Sequence, residues 1–289
     1  MIQRGALLLA LLALGSSACD KVPPADTSST ATRVVTLAPS LAELAFEIGA
    51  GDLVVGVSAW SDYPEAVRDL PIVGDAFAVD HEQLALLNPD LILAWESGMP
   101  AHVVDELRRS GYRVEVIRTR SLADIEEALV RLGSLLERQD AAREVATRFR
   151  GDIDRLTQKY EGAEPIRVFY QVASRPLYTI SNEHYLGDIV ALCGGINIFH
   201  DLGELAPTIA DEAVIARDPE VMLAGDKSSA EPFKEWQRWP GIAANRYGNH
   251  FLVSSDSSSR PTPRLVIAAT EICNALETGR ENRRLALAQ

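Results

Sequence analysis

A polar, regularly periodic stretch over residues 140–160 limits the possible folds of this chain more than any other feature. Val145, Phe149, Ile153, Leu156 and Tyr160 recur at steps of three or four, while Arg143, Glu144, Arg148, Arg150, Asp152, Asp154, Arg155 and Lys159 fill the other faces. That pattern is a helix with one narrow stripe to bury and the remainder in water. At about 1.5 Å per residue it spans roughly 30 Å, the width of a small domain, and Gly162 with Pro165 stops it. Gly151 near its middle costs about 1 kcal/mol relative to Ala, tolerable in so regular a pattern. Two readings fit: a surface helix of one α/β domain, or a spine between two lobes.

The flanking segments favour the spine. Before the helix, 33–37, 53–57, 90–95 and 113–117 read as strands, and 40–48, 81–87, 101–109 and 121–136 as helices. Ser40 with Glu43, Asp80 with Gln83, and Ser121 with Asp124 supply start signals. After it, 166–172, 177–180, 220–224 and 251–254 read as strands. Helices are expected at 185–192, 211–216, 232–236 and 263–276, the last ended by Gly279. Such alternation predicts mainly parallel sheets covered on both faces. An internal echo links the halves: Glu82, Pro89 and Ala94 align in register with Glu212, Pro219 and Ala224, each set spanning a short helix, a Pro-acid pair and a buried strand. The echo supports two related lobes. Glu82 and Glu212 then occupy equivalent first turns, where the helix dipole stabilises a carboxylate by roughly 0.3–1 kcal/mol. Two such exposed acids also suit paired arginines on another protein.

The first residues belong to export rather than to the fold. A short basic start, an apolar run over 6–14 and a small-residue exit at 15–19 read as a signal over 1–18, too short for an ordinary membrane span. Cys19 stands where a bacterial lipoprotein is acylated, although Ser16 occupies the place where leucine is commonest; release after Ala18 is the alternative. The Pro, Ser and Thr-rich segment 19–32 suits a tether. With Cys19 set apart, Cys193 and Cys273 in an oxidising compartment read as a disulfide, with two buried free thiols as the alternative. The net charge of −13 opposes nucleic acid and anionic lipid.

No enzyme motif accompanies the α/β pattern: GxSxG, Walker, HExxH and GxGxxG sequences are all absent. The histidines are scattered over different elements, so no resident metal is expected, and His81 and His200 are the ones placed to approach a bound metallocofactor. A small-molecule cleft fits better. Trp60, Phe77, Trp95 and Tyr178 lie at or beyond strand ends, and Asp256 and Arg260 flank a serine-rich loop over 254–259, where the two could also pair with each other. Tyr63 shares the Trp60 loop. Arg260, with Arg175 as a second candidate, is the arginine available to such a cleft.

Five blocks then point to a family. Residues 33–46, 55–64, 88–95, 193–199 and 263–276, in that order, resemble the helical-backbone periplasmic receptors for cobalamin, haem and iron siderophores, most of all their cobalamin-binding branch. The resemblance implies a class III α/β fold: a lobe over 33–138, a rigid backbone helix over 139–161 and a second Rossmann-like lobe over 162–289. It implies a monomer that captures cobalamin or a related corrinoid in the interlobe cleft and delivers it to an ABC importer from the periplasm or the outer face of the cytoplasmic membrane. By the same resemblance Glu82 and Glu212 dock onto the importer's membrane subunits, Cys193 pairs with Cys273, and Trp95, Asp256 and Arg260 match cleft residues. Trp60 and Tyr178 stand where the familiar binder has tyrosine and phenylalanine. Ala76 and Ala206 replace tryptophans, with Phe77 able to restore one ring, which leaves a modified corrinoid, haem or a ferric siderophore as alternatives. An exported α/β enzyme is the reading from another class.

Overall fold

The computed structural model describes residues 31–75 and 77–288. The signal at 1–18, Cys19, most of the tether at 19–32 and Ala76 lie outside the described residues. In the first lobe, β1 (Val34–Thr36), α1 (Pro39–Glu47), β2 (Val54–Val57), α2 (His81–Leu87), β3 (Leu91–Trp95), α3 (Ala101–Arg109) and β4 (Val114–Ile117) follow one another. The strands pair in parallel in the order β2-β1-β3-β4. Side-chain alternation divides them between two cores. Val34, Leu91 and Leu93 join Leu41 and Leu44 of α1, while Val35, Ile92 and Ala94 join Leu84 of α2 and Leu107 of α3.

Two helices then cross to the second lobe, α4 (Leu122–Leu135) and α5 (Gln139–Tyr160). The stripe on α5 is shared between the lobes. Ala142, Val145 and Ala146 are buried in the first lobe's core, whereas Phe149 and Tyr160, with Ile153 and Leu156 half-buried, pack in the second lobe's core. The neighbouring α4 repeats the division in reverse, with Leu129 and Leu132 in the first core and Ile125 in the second. The junction is therefore a helix pair. Ser121 and Asp124 form the expected capping box at the start of α4, and Asp188 from the second lobe accepts the Leu122 N–H at 2.9 Å.

The second lobe contains β5 (Ile166–Ser174), β6 (Leu177–Thr179), α6 (Tyr185–Leu192), β7 (Gly195–Asn197), α7 (Asp211–Arg217), β8 (Val221–Gly225), α8 (Ala243–Tyr247), β9 (His250–Val253), α9 (Ser255–Ser258) and α10 (Leu265–Leu287). One edge of β5 carries β8 and, beyond it, β9, all parallel. Its other edge is shared, with β7 parallel along the first half and β6 antiparallel along the second. A disulfide joins Cys193, just after α6, to Cys273 inside α10, with Cα atoms 4.9 Å apart.

The echo seen in the sequence is also a backbone echo. α2 and α7 each end on a left-handed residue, Asn88 at φ 43° and Asp218 at φ 43°, immediately before proline and then a strand. The acid after each proline does the same work: Asp90 accepts the Arg33 N–H at 3.0 Å, and Glu220 accepts the Arg167 N–H at 2.9 Å.

Four sequence expectations change. Ser40 and Glu43 do not cap α1, whose N-cap is Ala38 with Pro39 beginning the helix; both side chains are buried inside the molecule. The helix expected at 232–236 is a 3₁₀ turn over Lys234–Arg238, and the serine-rich loop contains the single turn α9. Gly279 does not end α10, which continues to Leu287 because that glycine lies against the sheet: a Cβ there would come within 2.6 Å of Val221 Cγ2.

Candidate functional site

In a parallel sheet, loops after the carboxyl ends of the strands are free to meet a ligand. Here both lobes turn such ends toward one pocket of about 340 Å³. Trp95, the last residue of β3, lines it from the first lobe; Val172 of β5 and Gly225, Lys227 and Ser228 at the end of β8 line it from the second. Ser255, Ser258 and Ser259 on and after α9 and His184 and Tyr185 at the start of α6 complete most of the wall. Trp95 is fixed rather than loose. Its Nε1–H donates to Thr119 Oγ1 at 2.8 Å, and Gly98 leaves room for the ring, since a Cβ there would lie 2.4 Å from Trp95 Cε3. Tyr185 donates its hydroxyl to Ser258 O at 3.1 Å. Burial pushes the Tyr170 phenol, also in the wall, up to about 12 despite a Ser258 hydrogen bond, and raises Tyr185 further.

Charge around the cleft is paired. Lys227 Nζ lies 2.6 Å from Asp256 Oδ1, and that contact raises the lysine pKa. Arg260 Nη2 lies 2.7 Å from Asp62 Oδ1 and donates to Trp60 O at 3.0 Å, so a second-lobe residue grips the loop after β2. Beneath it, Glu43 of α1 is 2 % exposed. It accepts from Thr262 Oγ1 at 2.8 Å and lies 3.3 Å from Arg264 and 3.5 Å from Arg260. Burial raises the Glu43 carboxyl, and the Thr262 bond and the two arginines offset only part of that. The Arg264 guanidinium also lies 4.0 Å from the Tyr63 ring centre, a cation–π contact across the lobes. Arg120 pairs with Glu96 beside Trp95.

The family model described as a periplasmic binding protein matches residues 34–256. The chain belongs to the periplasmic binding protein family. A vitamin B12-binding protein of Vibrio campbellii is 32% identical over 254 residues, covering 88% of this chain and 92% of the relative. Among solved structures, the periplasmic vitamin B12 binding protein BtuF of Vibrio cholerae superposes with a TM-score of 0.79 at 30% identity, covering 87% of this chain and 98% of that one. The apo periplasmic haem-binding protein RhuT from Roseiflexus sp. RS-1 reaches 0.75 at 23% identity, over 86% and 98%, a likeness of fold alone.

Within this periplasmic binding protein, the residues singled out by sequence do not all reach the pocket wall. Trp95 lines the pocket. Trp60 and Phe77 stand on first-lobe loops as bare rings, 84% and 81% exposed; the loops adjoin through the Ala59 N–H to Gly74 O bond of 2.7 Å. Asp256 sits on α9 beside pocket serines, bound to Lys227 and not to Arg260. Arg260 and Tyr178 are not in the pocket wall: Arg260 is held in the lobe junction, and Tyr178 pairs with Ala173 and Thr208 on β6. Arg175 is no cleft residue. It pairs with Glu235 on a groove of about 500 Å³ formed wholly by the second lobe.

Glu82 and Glu212 are exposed in the first turns of α2 and α7, and Glu212 borders that same outer groove. Neither histidine expected near a ligand is there: His81 lies 3.4 Å from Glu106 and His200 bonds Asn197 O. His184 lines the pocket instead. Lys227, Tyr170 and Tyr185 were also missed; Lys227 lies two residues beyond the carboxyl end of β8, and the rule that found Trp95 applies to that loop equally. Among the described residues no group of three or more His, Cys, Asp or Glu could hold a metal ion, and no helix is long and apolar enough to cross a membrane.

Proposed function

We propose that the chain is an extracytoplasmic receptor that takes cobalamin or a related corrinoid in the interlobe cleft and delivers it, unchanged, to an ABC importer. The observation that carries the ligand class is the pairing of charge: Lys227, Arg260, Arg264 and Arg120 around the cleft each already hold a carboxylate. A ligand rimmed with neutral amides loses nothing there, whereas the carboxylates of haem or the anionic arms of a ferric siderophore would have to displace those partners. The relatives named for vitamin B12 support the same reading.

In this reading Trp95 meets one face of the macrocycle, Trp60 and Phe77 close on it from the rim, and Asp256 with Lys227 contacts its polar edge; Tyr178 acts only at the margin. Glu82 and Glu212 dock onto the importer, and the protein works as a monomer tethered through an acylated Cys19. Titration calorimetry with cyanocobalamin, cobinamide, haem and a ferric siderophore tests the ligand class. Tight binding of a corrinoid with weak or no binding of the anionic chelates is expected. Clear binding of haem or siderophore without corrinoid binding would refute it.

A further inference from the structure

His184 both lines the pocket and caps α6, and the two roles fix the state of its ring. Its Nδ1 accepts the Leu186 N–H at 3.1 Å. An imidazole nitrogen that accepts a hydrogen bond carries no hydrogen, so in the neutral ring the proton is on Nε2. Burial draws the His184 pKa down to about 4, which keeps the ring neutral near pH 7. The ring is further held against Tyr185, with centroids 4.1 Å apart. Among the described residues, Nε2 has no hydrogen-bond partner.

We infer that His184 donates its Nε2–H to a carbonyl oxygen on the rim of the bound chelate and does not ligate the metal. The inference rests on the corrinoid reading, because a corrinoid's periphery offers amide carbonyls. Ligation would need a lone pair where the hydrogen sits, or would need Nδ1 to leave the first turn of α6 and orphan the Leu186 N–H. A fixed donor in the wall also contributes to specificity: a ligand without an acceptor at that point leaves Nε2–H dry and unpaired.

Two substitutions separate the roles. His184→Asn keeps an acceptor at the Nδ1 position for Leu186 and has no atom where Nε2 stood; His184→Gln carries an amide donor out to the Nε2 position and gives up the cap. With aquocobalamin as the probe, calorimetry should show roughly 5- to 10-fold weaker binding for His184→Asn with an unchanged melting temperature. His184→Gln should bind within about two-fold of the wild type but melt lower. The visible bands of aquocobalamin should stay in place on binding to the wild type. Wild-type affinity in His184→Asn would overturn the inference. So would a band shift matching that given by free imidazole and absent in His184→Asn. Failure of the wild type itself to bind aquocobalamin would be distinct, removing the corrinoid reading and this inference with it.

Discussion

Glu43 is a buried contact between the two lobes, and its ionisation has a cost. Its pKa is raised above the ordinary 4.5 by burial, so the folded chain holds that proton more tightly than the unfolded one. The stabilising contribution is therefore complete below pH 4.5 and falls as pH rises through the raised value. Glu43→Gln does not titrate and keeps an acceptor for Thr262. The melting temperature of the wild type minus that of Glu43→Gln should thus fall between about pH 4 and pH 7, and a difference that widens in favour of the wild type would contradict the assignment. Glu43→Ala is harsher, since it removes the buried carboxylate that Arg260, Arg264 and Thr262 all face. Urea unfolding should show a loss of roughly 3–4 kcal/mol, the lower part of the buried-pair range because both arginines retain some water. None of this was legible locally: the spacing of Ser40 and Glu43 imitates a capping box, while the true partner Thr262 is 219 residues away. Trp95 was legible because a strand's carboxyl end announces itself in the sequence. The pairing of Lys227 with Asp256 was not, because it closes 29 residues of chain.

Glycines at the scale of the helix show where sequence reading reaches its limit. Gly151 and Gly279 look alike as interruptions of a periodic pattern, yet one faces water and the other a sheet. A Cβ at Gly151 would meet only Arg155 Nη1 at 3.6 Å, whereas at Gly279 it would meet Val221 at 2.6 Å and Ile166 at 3.3 Å. Gly151→Ala should stabilise the protein by about 0.5–1 kcal/mol through helix propensity and a less flexible unfolded chain. Gly279→Ala should destabilise it by roughly 1–2 kcal/mol, the overpacking outweighing the same propensity gain. Chemical unfolding of both variants decides, and the opposite order of stabilities would contradict the placement of α10 on the sheet. Most other elements were readable because their apolar residues follow a period of two or 3.6. β7 was not, since three residues of Gly-Ile-Asn carry no period.

At the scale of the molecule, the helix pair that enters both cores makes the lobe angle a property of packing. Moving one lobe would unseat Val145 and Phe149 of α5 from different cores and break the Glu43 and Arg260 contacts together. The sequence disclosed α5 and the two related halves; it could not disclose that α4 shares the span, because the division of its apolar stripe between cores exists only once the lobes are assembled. Glu82 and Glu212 lie apart from this machinery. Replacing both with alanine should leave corrinoid affinity within about two-fold while importer-dependent uptake in reconstituted vesicles falls by at least about ten-fold; equal uptake would refute their docking role. The most direct test of the whole is a crystal structure of the protein with cyanocobalamin. The corrin should lie in the cleft against Trp95, with both lobes together superposing on the free form to within about 1 Å. A ligand seated outside the cleft, or lobes swung to a new angle around it, would contradict a rigid receptor for corrinoids.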